Sequence, residues 1–316
     1  MYEGRPITTR GRWVNPLVFA LAKLTLSLPQ LRTVNGPIFI VGMGRSGTTI
    51  LGITLSLHSD VGFLNEPKAL WYVANHKDDV IGNYSDIPGS YLLSESDAQP
   101  DSIRRIRRLY GGYLKLTRRQ RVVDKYPEAV FRASYISECF PDCKFIVLIR
   151  DGLDTINSVA KWNSQFSKSD GHKKHDWWGI DDRKWISLVK QVACRLPAFR
   201  GKESLLMSLS TDIDRAALEW TLTTFYSLKC LKAFPDRALF LKYEKLTEQP
   251  RETIEQVLEF CELQKQIEPV AFAERKLQRR NPDECDYIEI SPIVRGVFQE
   301  AYELAGYKSE RSNRDF

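Results

Sequence analysis

No C-x-x-C pair occurs in these 316 residues, although cysteines stand at 139, 143, 194, 230, 261 and 285. That spacing excludes a thiol-pair redox motif. It also speaks against a secreted disulfide framework, and is read as reduced, mostly buried thiols of a cytosolic protein. No apolar run is long enough to cross a bilayer. No internal repeat or low-complexity tract is present, so solenoids and fibrous folds drop out. The net charge of +6 suits an anionic ligand. With no aromatic-interleaved basic motif beside it, it gives no reason to expect nucleic acid as a partner. His172, His175 and Asp176 lack a second Cys or His cluster that would complete a metal site. What remains is a chain with 43% hydrophobic residues, enough for the core of one large domain.

The first residues form an apolar stretch, Leu17 to Leu28, preceded by Arg5, Arg10 and Arg12. Lys23 interrupts it and no small-residue cleavage site follows, so a signal peptide is not indicated. Leu17, Ala20, Leu21, Leu24 and Leu28 share one helical face. The favoured reading is a helix that packs on the domain; the alternative is peripheral membrane contact through residues 14–30. Residues 1–35 are therefore taken as a helical extension and 36–316 as the main domain. The expected location is cytoplasmic, with a membrane-peripheral position as the variant.

The core alternates strand and helix, the pattern of a parallel sheet covered on both faces: a three-layer α/β domain, a variant of the P-loop fold. Strands are expected at 37–41, 61–64, 121–124, 144–149 and 238–242. Helices are expected at 47–58, 67–76, 101–117, 129–139, 152–161, 213–234, 250–261 and 293–305. Segments 77–100 and 163–183 read as long inserted loops. Arg104, Arg105, Arg107, Arg108, Arg118, Arg119 and Arg121 make the densest basic stretch, by default a solvated helix face.

Val41-Gly-Met-Gly-Arg-Ser-Gly-Thr-Thr49 nearly spells a Walker A loop, with Thr48 where the lysine belongs. Such a loop at a helix N-terminus cradles an anion with backbone N–H groups. The missing lysine points to a phosphorylated donor other than a nucleoside triphosphate. In an open α/β sheet, ligands bind beyond the carboxyl ends of the strands. Arg45, Ser46, Thr48 and Thr49 follow the first strand, Asn65-Glu66-Pro67 the second, Lys125-Tyr126-Pro127 the third and Arg150-Asp151-Gly152 the fourth. Arg150 stands where a P-loop nucleotidase carries a Mg²⁺-binding Asp, and a guanidinium there binds phosphate. Asp151 is a plausible N-cap, and Ser158 lies two helical turns on, where its hydroxyl can face the same phosphate.

Gly42–Thr49, Phe145–Arg150 with Ser158, and Leu241–Leu246 followed by Pro250 together resemble sulfotransferases, nearest the bacterial-type and tyrosylprotein-type branch. The resemblance runs from about Pro37 to Leu263. It implies the fold named above and transfer of a sulfuryl group from 3′-phosphoadenosine 5′-phosphosulfate (PAPS) to a hydroxyl of a sugar, lipid, small metabolite or tyrosine, with no metal. Arg45, Ser46, Gly47, Thr48 and Thr49 would hold the 5′-phosphosulfate, Arg150 and Ser158 the 3′-phosphate, and Tyr243 would contact the adenine. Glu66 matches the catalytic glutamate of the tyrosylprotein branch and Lys125 a lysine near the transferred group, with Arg45 offsetting charge beside it. The histidine base of many small-molecule sulfotransferases has no counterpart after the third strand, and Glu128 is a rival carboxylate there. Arg279-Arg280-Asn281 loosely matches the segment that closes over the donor. The bland alternatives are a first-turn carboxylate for Glu66, a surface pair with Glu128 for Lys125, and a core aromatic for Tyr243. Trp177, Trp178 and Trp185 either line the acceptor pocket or pack in the core. The rival functions are a small-molecule kinase using ATP and a catalytically inactive nucleotide-binding protein.

Overall fold

The computed structural model describes residues 15–170, 173–277 and 288–307. Arg5, Arg10, Arg12, His172, Arg279–Asn281 and Cys285 lie outside the described residues. Five strands form one parallel sheet: β1 (Ile38–Gly42), β2 (Val61–Asn65), β3 (Arg121–Lys125), β4 (Lys144–Ile149) and β8 (Ala238–Lys242), in the spatial order β2-β3-β1-β4-β8. All five coincide with the expected strands to within a residue. The central β1 and β4 read most clearly because a parallel strand buried on both faces is a nearly continuous apolar run.

Alternation along β1 divides the core. Phe39 and Val41 face one layer with Phe145 and Val147 of β4, while Ile38 and Ile40 face the other with Ile146 and Leu148. The first layer contains α4 (Pro100–Thr117), α5 (Ala133–Cys139), α6 (Gly152–Phe166), α9 (Asp212–Ala233) and α13 (Pro292–Leu304). The second contains α2 (Thr48–Leu55), α11 (Pro250–Phe260) and α12 (Ile267–Lys276). Helices thus cover both faces, as the sequence predicts. Proline at the first helical position opens α4, α11 and α13, where its missing N–H costs nothing. Short helices α7 (Arg183–Gln191), α8 (Glu203–Met207) and α10 (Tyr243–Glu248), together with α12, were not expected.

Two segments differ from the sequence reading. Segment 163–183 is not an irregular loop: α6 runs on to Phe166, and β5 (Lys168–Asp170), β6 (Lys173–Asp176) and β7 (Gly179–Ile180) form a small antiparallel sheet. Trp178 and Trp185 are fully buried behind it. The Asn163 amide donates to the Asp212 carboxylate at 2.9 Å while its carbonyl accepts from the Trp177 N–H. Buried indoles and a doubly used amide order the segment despite its polar composition.

The N-terminal helix α1 (Asn15–Ser27) does pack on the domain, but through the opposite side. Leu17, Leu21 and Leu24 are 63%, 53% and 58% exposed, so the predicted packing face looks outward. Asn15 and Ala22 point inward, and the Phe19 ring meets Tyr72 and Tyr84 edge-on. The Arg108 guanidinium donates to the Leu26 carbonyl at 3.0 Å. A methyl at Gly112 of α4 would sit 2.6 Å from the Thr25 methyl. Close backbone approach and polar contacts, not leucines, fix this helix. Other arginines of the basic stretch likewise serve structure: Arg107 donates to the Cys139 carbonyl at 2.7 Å and Arg121 to those of Gly36 and Cys261. No helix among the described residues is long and apolar enough to cross a membrane.

Candidate active site

Because the five strands are parallel, their carboxyl ends share one edge, and β1 at the centre is where the connections diverge to either side. Gly42 ends β1 at φ +140°, and a Cβ there would strike the Leu148 carbonyl of β4. The chain turns through Arg45, at φ +70°, into Gly47, the N-cap of α2 at φ +91°. A side chain at Gly47 would collide with the Tyr243 ring. Both glycines are required, by conformation and by crowding. The Ser46 hydroxyl is buried and donates to the Met43 carbonyl at 2.5 Å, so it braces the loop from within. The first N–H groups of α2 have no intrahelical acceptor. Thr48 and Thr49 border a cavity in front of them.

The other wall of this region comes from β4. The Arg150 guanidinium donates to the Arg45 carbonyl at 3.3 Å and to Asp154 at 3.4 Å, and lies 4.9 Å above the Tyr243 ring. Its Nε is buried with no hydrogen-bond partner, a donor that an anion would satisfy. Arg45 Nε donates to Ser158 Oγ at 3.1 Å. Arg45, Arg150, Ser158 and Tyr243 are therefore gathered beside the glycine loop. The turn is braced from behind. The Trp220 indole N–H donates to the Arg150 carbonyl at 3.1 Å. Asp151 caps α6, accepting from the Asp154 N–H at 3.1 Å, as the sequence suggests. It also accepts from the Tyr302 hydroxyl at 2.6 Å, and its N–H donates to Glu244.

On the opposite flank, Glu66 follows β2 at φ +51°, and its N–H donates to the Lys125 carbonyl at 2.7 Å. Its carboxylate accepts from Lys125 at 2.5 Å and pairs with Lys68 at 3.2 Å. Lys68 also reaches Glu128 at 3.3 Å. Lys125 thus pairs with Glu66 rather than Glu128, and the contact is buried rather than on the surface. Burial pushes the Glu66 carboxyl up, but Lys125 and Lys68 outweigh it and hold it at about 2. Burial lowers the Lys68 ammonium, and Glu128 and Glu66 more than reverse this. Beneath the row, burial raises the Asp124 carboxyl to about 7 although Trp71 and Tyr110 donate to it. This network was partly hidden in the sequence: Lys68 is two residues past Glu66, a spacing that a tight turn brings back onto the carboxylate.

Between the flanks lies a cavity of about 150 Å³, bordered by Gly42–Arg45, Thr48, Thr49, Glu66, Lys68, Lys125 and Glu128, and closed by Trp162, Trp177, Lys184 and Glu219. Lys184 pairs with Glu219 at 2.6 Å and lies 4.6 Å over the Trp177 ring, whose N–H donates to the same carboxylate at 2.6 Å. Trp177 therefore lines the cavity, whereas Trp178 and Trp185 belong to the core. Lys184 and Glu219 carry no sequence motif and were not foreseen. Among the described residues no cluster of three His, Cys, Asp or Glu could hold a metal. The five described cysteines are free thiols.

Residues 37–183 match the model of the sulfotransferase family. The chain is 30% identical over 127 residues to protein-tyrosine sulfotransferase A of Caenorhabditis elegans, covering 39% of this chain and 32% of that protein. It is 28% identical over 240 residues to an uncharacterized protein of Aquifex aeolicus (strain VF5), covering 72% of this chain and 25% of the other. The chain thus spans about a quarter to a third of the length of these relatives. The sulfotransferase domain of the Synechococcus PCC 7002 olefin synthase superposes with a TM-score of 0.54 at 16% identity, covering 89% of this chain and 98% of that domain. The fold is that of sulfotransferases.

Proposed function

We propose that this chain, which resembles the sulfotransferase family in sequence and shares its fold, transfers a sulfuryl group from PAPS to an acceptor hydroxyl. We assign the activity to a domain of residues 36–316, with 1–35 as its extension. The observation that carries the reading is the meeting of Arg45, Arg150, Ser158 and Tyr243 at a lysine-free glycine loop.

The order β2-β3-β1-β4 arranges the groups in a row, since neighbouring strands lie about 4.8 Å apart. Arg150 and Ser158, beyond β4 and on α6, would grip the 3′-phosphate, with Tyr243 beside the adenine. Arg45, Gly47, Thr48, Thr49 and the backbone of Ser46 would cradle the 5′-phosphosulfate at the N-terminus of α2, whose dipole favours an anion. The buried, unpartnered Nε of Arg150 fits a phosphorylated occupant. Glu66 and Lys125, at the ends of β2 and β3, would face the acceptor.

In this reading Glu66 takes the acceptor proton as the acceptor oxygen bonds to sulfur. The bond from sulfur to the 5′-phosphate oxygen breaks, and that oxygen leaves with the electron pair on adenosine 3′,5′-bisphosphate (PAP). Lys125 and Arg45 offset charge on the sulfuryl oxygens and the leaving group, an in-line displacement with the logic of phosphoryl transfer. A carboxylate held at about 2 is a weak base in the resting protein. Movement of Lys125 toward the sulfuryl oxygens would relieve it. General-base help is worth about 10²–10⁴ in rate.

A kinase reading would require ATP to be bound instead. PAP is expected to raise the thermal unfolding temperature while ATP leaves it nearly unchanged. Equal stabilisation by ATP, or none by PAP, would contradict the proposal.

A further inference from the structure

Among the described residues the leucine face of α1 has no partner, and its surroundings specify what covers it. Leu17, Leu21, Leu24 and Leu28 follow one another at helical spacing along the outer side, all exposed. An apolar ridge of this kind on a surface helix marks a contact site. The stretch of chain that carries it has charge of one sign in its sequence. Residues 4–59 contain no aspartate or glutamate, while Arg5, Arg10, Arg12, Lys23, Arg32 and Arg45 fall within them. Behind the helix, a cavity of about 550 Å³ lies between α1, α3 (Lys68–Ala74) and α4. Lys23, Arg104, Arg105 and Arg108 border it beside Phe19 and Tyr72, and no carboxylate is among its lining residues.

We propose that α1 is an in-plane membrane helix that docks the protein on an anionic lipid bilayer. The leucine ridge would enter the boundary between headgroups and acyl chains, and the flanking cations would hold lipid phosphates. Charge opposes the obvious competitor. A two-fold pairing of this face with a second copy would bring Lys23 and the arginine-lined cavity of one copy toward those of the other, cation near cation. The helix is anchored by its other side, through Ala22, Thr25 and Leu26, so the ridge can be occupied without unfolding the domain.

The test is flotation of the full chain with vesicles of phosphatidylcholine alone and of phosphatidylcholine mixed equally with phosphatidylglycerol. Binding is expected to the anionic vesicles only, and to weaken as salt is raised. Leu21→Asn and Leu24→Asn should each weaken it about tenfold. Lys23→Gln with Arg105→Gln should weaken it by a similar factor. All of these side chains lie outside the catalytic row, and an unchanged unfolding temperature would verify that each variant is folded. Failure to float, equal flotation with both vesicles, or leucine variants that float like the parent would overturn the proposal. So would a dimer in solution that Leu21→Asn dissociates, since a second copy would then cover the ridge.

Discussion

Glu66 sits between two ammonium groups, and its properties follow from that position. Its carboxyl is held at about 2, below the ordinary 4.5. A depressed carboxylate stabilises the fold fully above the ordinary value, and that contribution is lost as pH falls toward 2. The shift corresponds to about 3 kcal/mol. Glu66→Gln should therefore lower unfolding stability by about 3 kcal/mol at neutral pH, where it strands Lys125, with the deficit shrinking as pH falls below about 4.5. In the proposed reaction the same variant should lose about 10²-fold or more in turnover of labelled PAPS while PAP affinity stays within a fewfold. Turnover close to the parent's would remove Glu66 from the role of base. The sequence offered both Glu66 and Glu128 as carboxylates. It could not show that Lys68 joins them, because a contact made through a tight turn has no periodic signature.

Strands and long helices were legible because each carries a pattern that burial imposes. The β1 run and β4 after Lys144 are apolar, and α9 and α11 repeat with helical period. Short elements such as Tyr243–Glu248 and Glu203–Met207 are too brief for any period to emerge. The α1 leucines teach a different lesson: periodicity identifies residues that share a face but not whether that face turns inward. Helix α6 shows how one element holds the site. Asp151 caps its first turn and receives the Tyr302 hydroxyl from α13, so the C-terminal helix secures the turn that presents Arg150. Asp151→Ala should cost about 1 kcal/mol for the cap and about 1–3 kcal/mol for the stranded hydroxyl, read from urea unfolding. A stability within a few tenths of a kcal/mol of the parent would show that this brace is idle.

At the scale of the whole molecule, the strand order does the positioning. The glycine loop and Arg150 leave neighbouring strands β1 and β4, while Glu66 and Lys125 leave neighbouring strands β2 and β3. In the proposed reading, a ligand lying along this edge would meet a phosphate clamp, an anion cradle and an acid–lysine pair in sequence. The motifs alone foretold which residues stand at the strand ends, and Trp177 was one of two readings the sequence offered for the cavity's far wall; Lys184 and Glu219, which complete that wall, come from segments with no motif and had to be seen in three dimensions. The proposed two-ended grip on the donor is tested most directly by calorimetric titration of the parent and Arg150→Ala with PAP and with adenosine 5′-phosphosulfate, which lacks the 3′-phosphate. Removal of the guanidinium should weaken PAP by about tenfold to a hundredfold and leave adenosine 5′-phosphosulfate nearly unchanged. Equal weakening of the two ligands, or none of either, would contradict it.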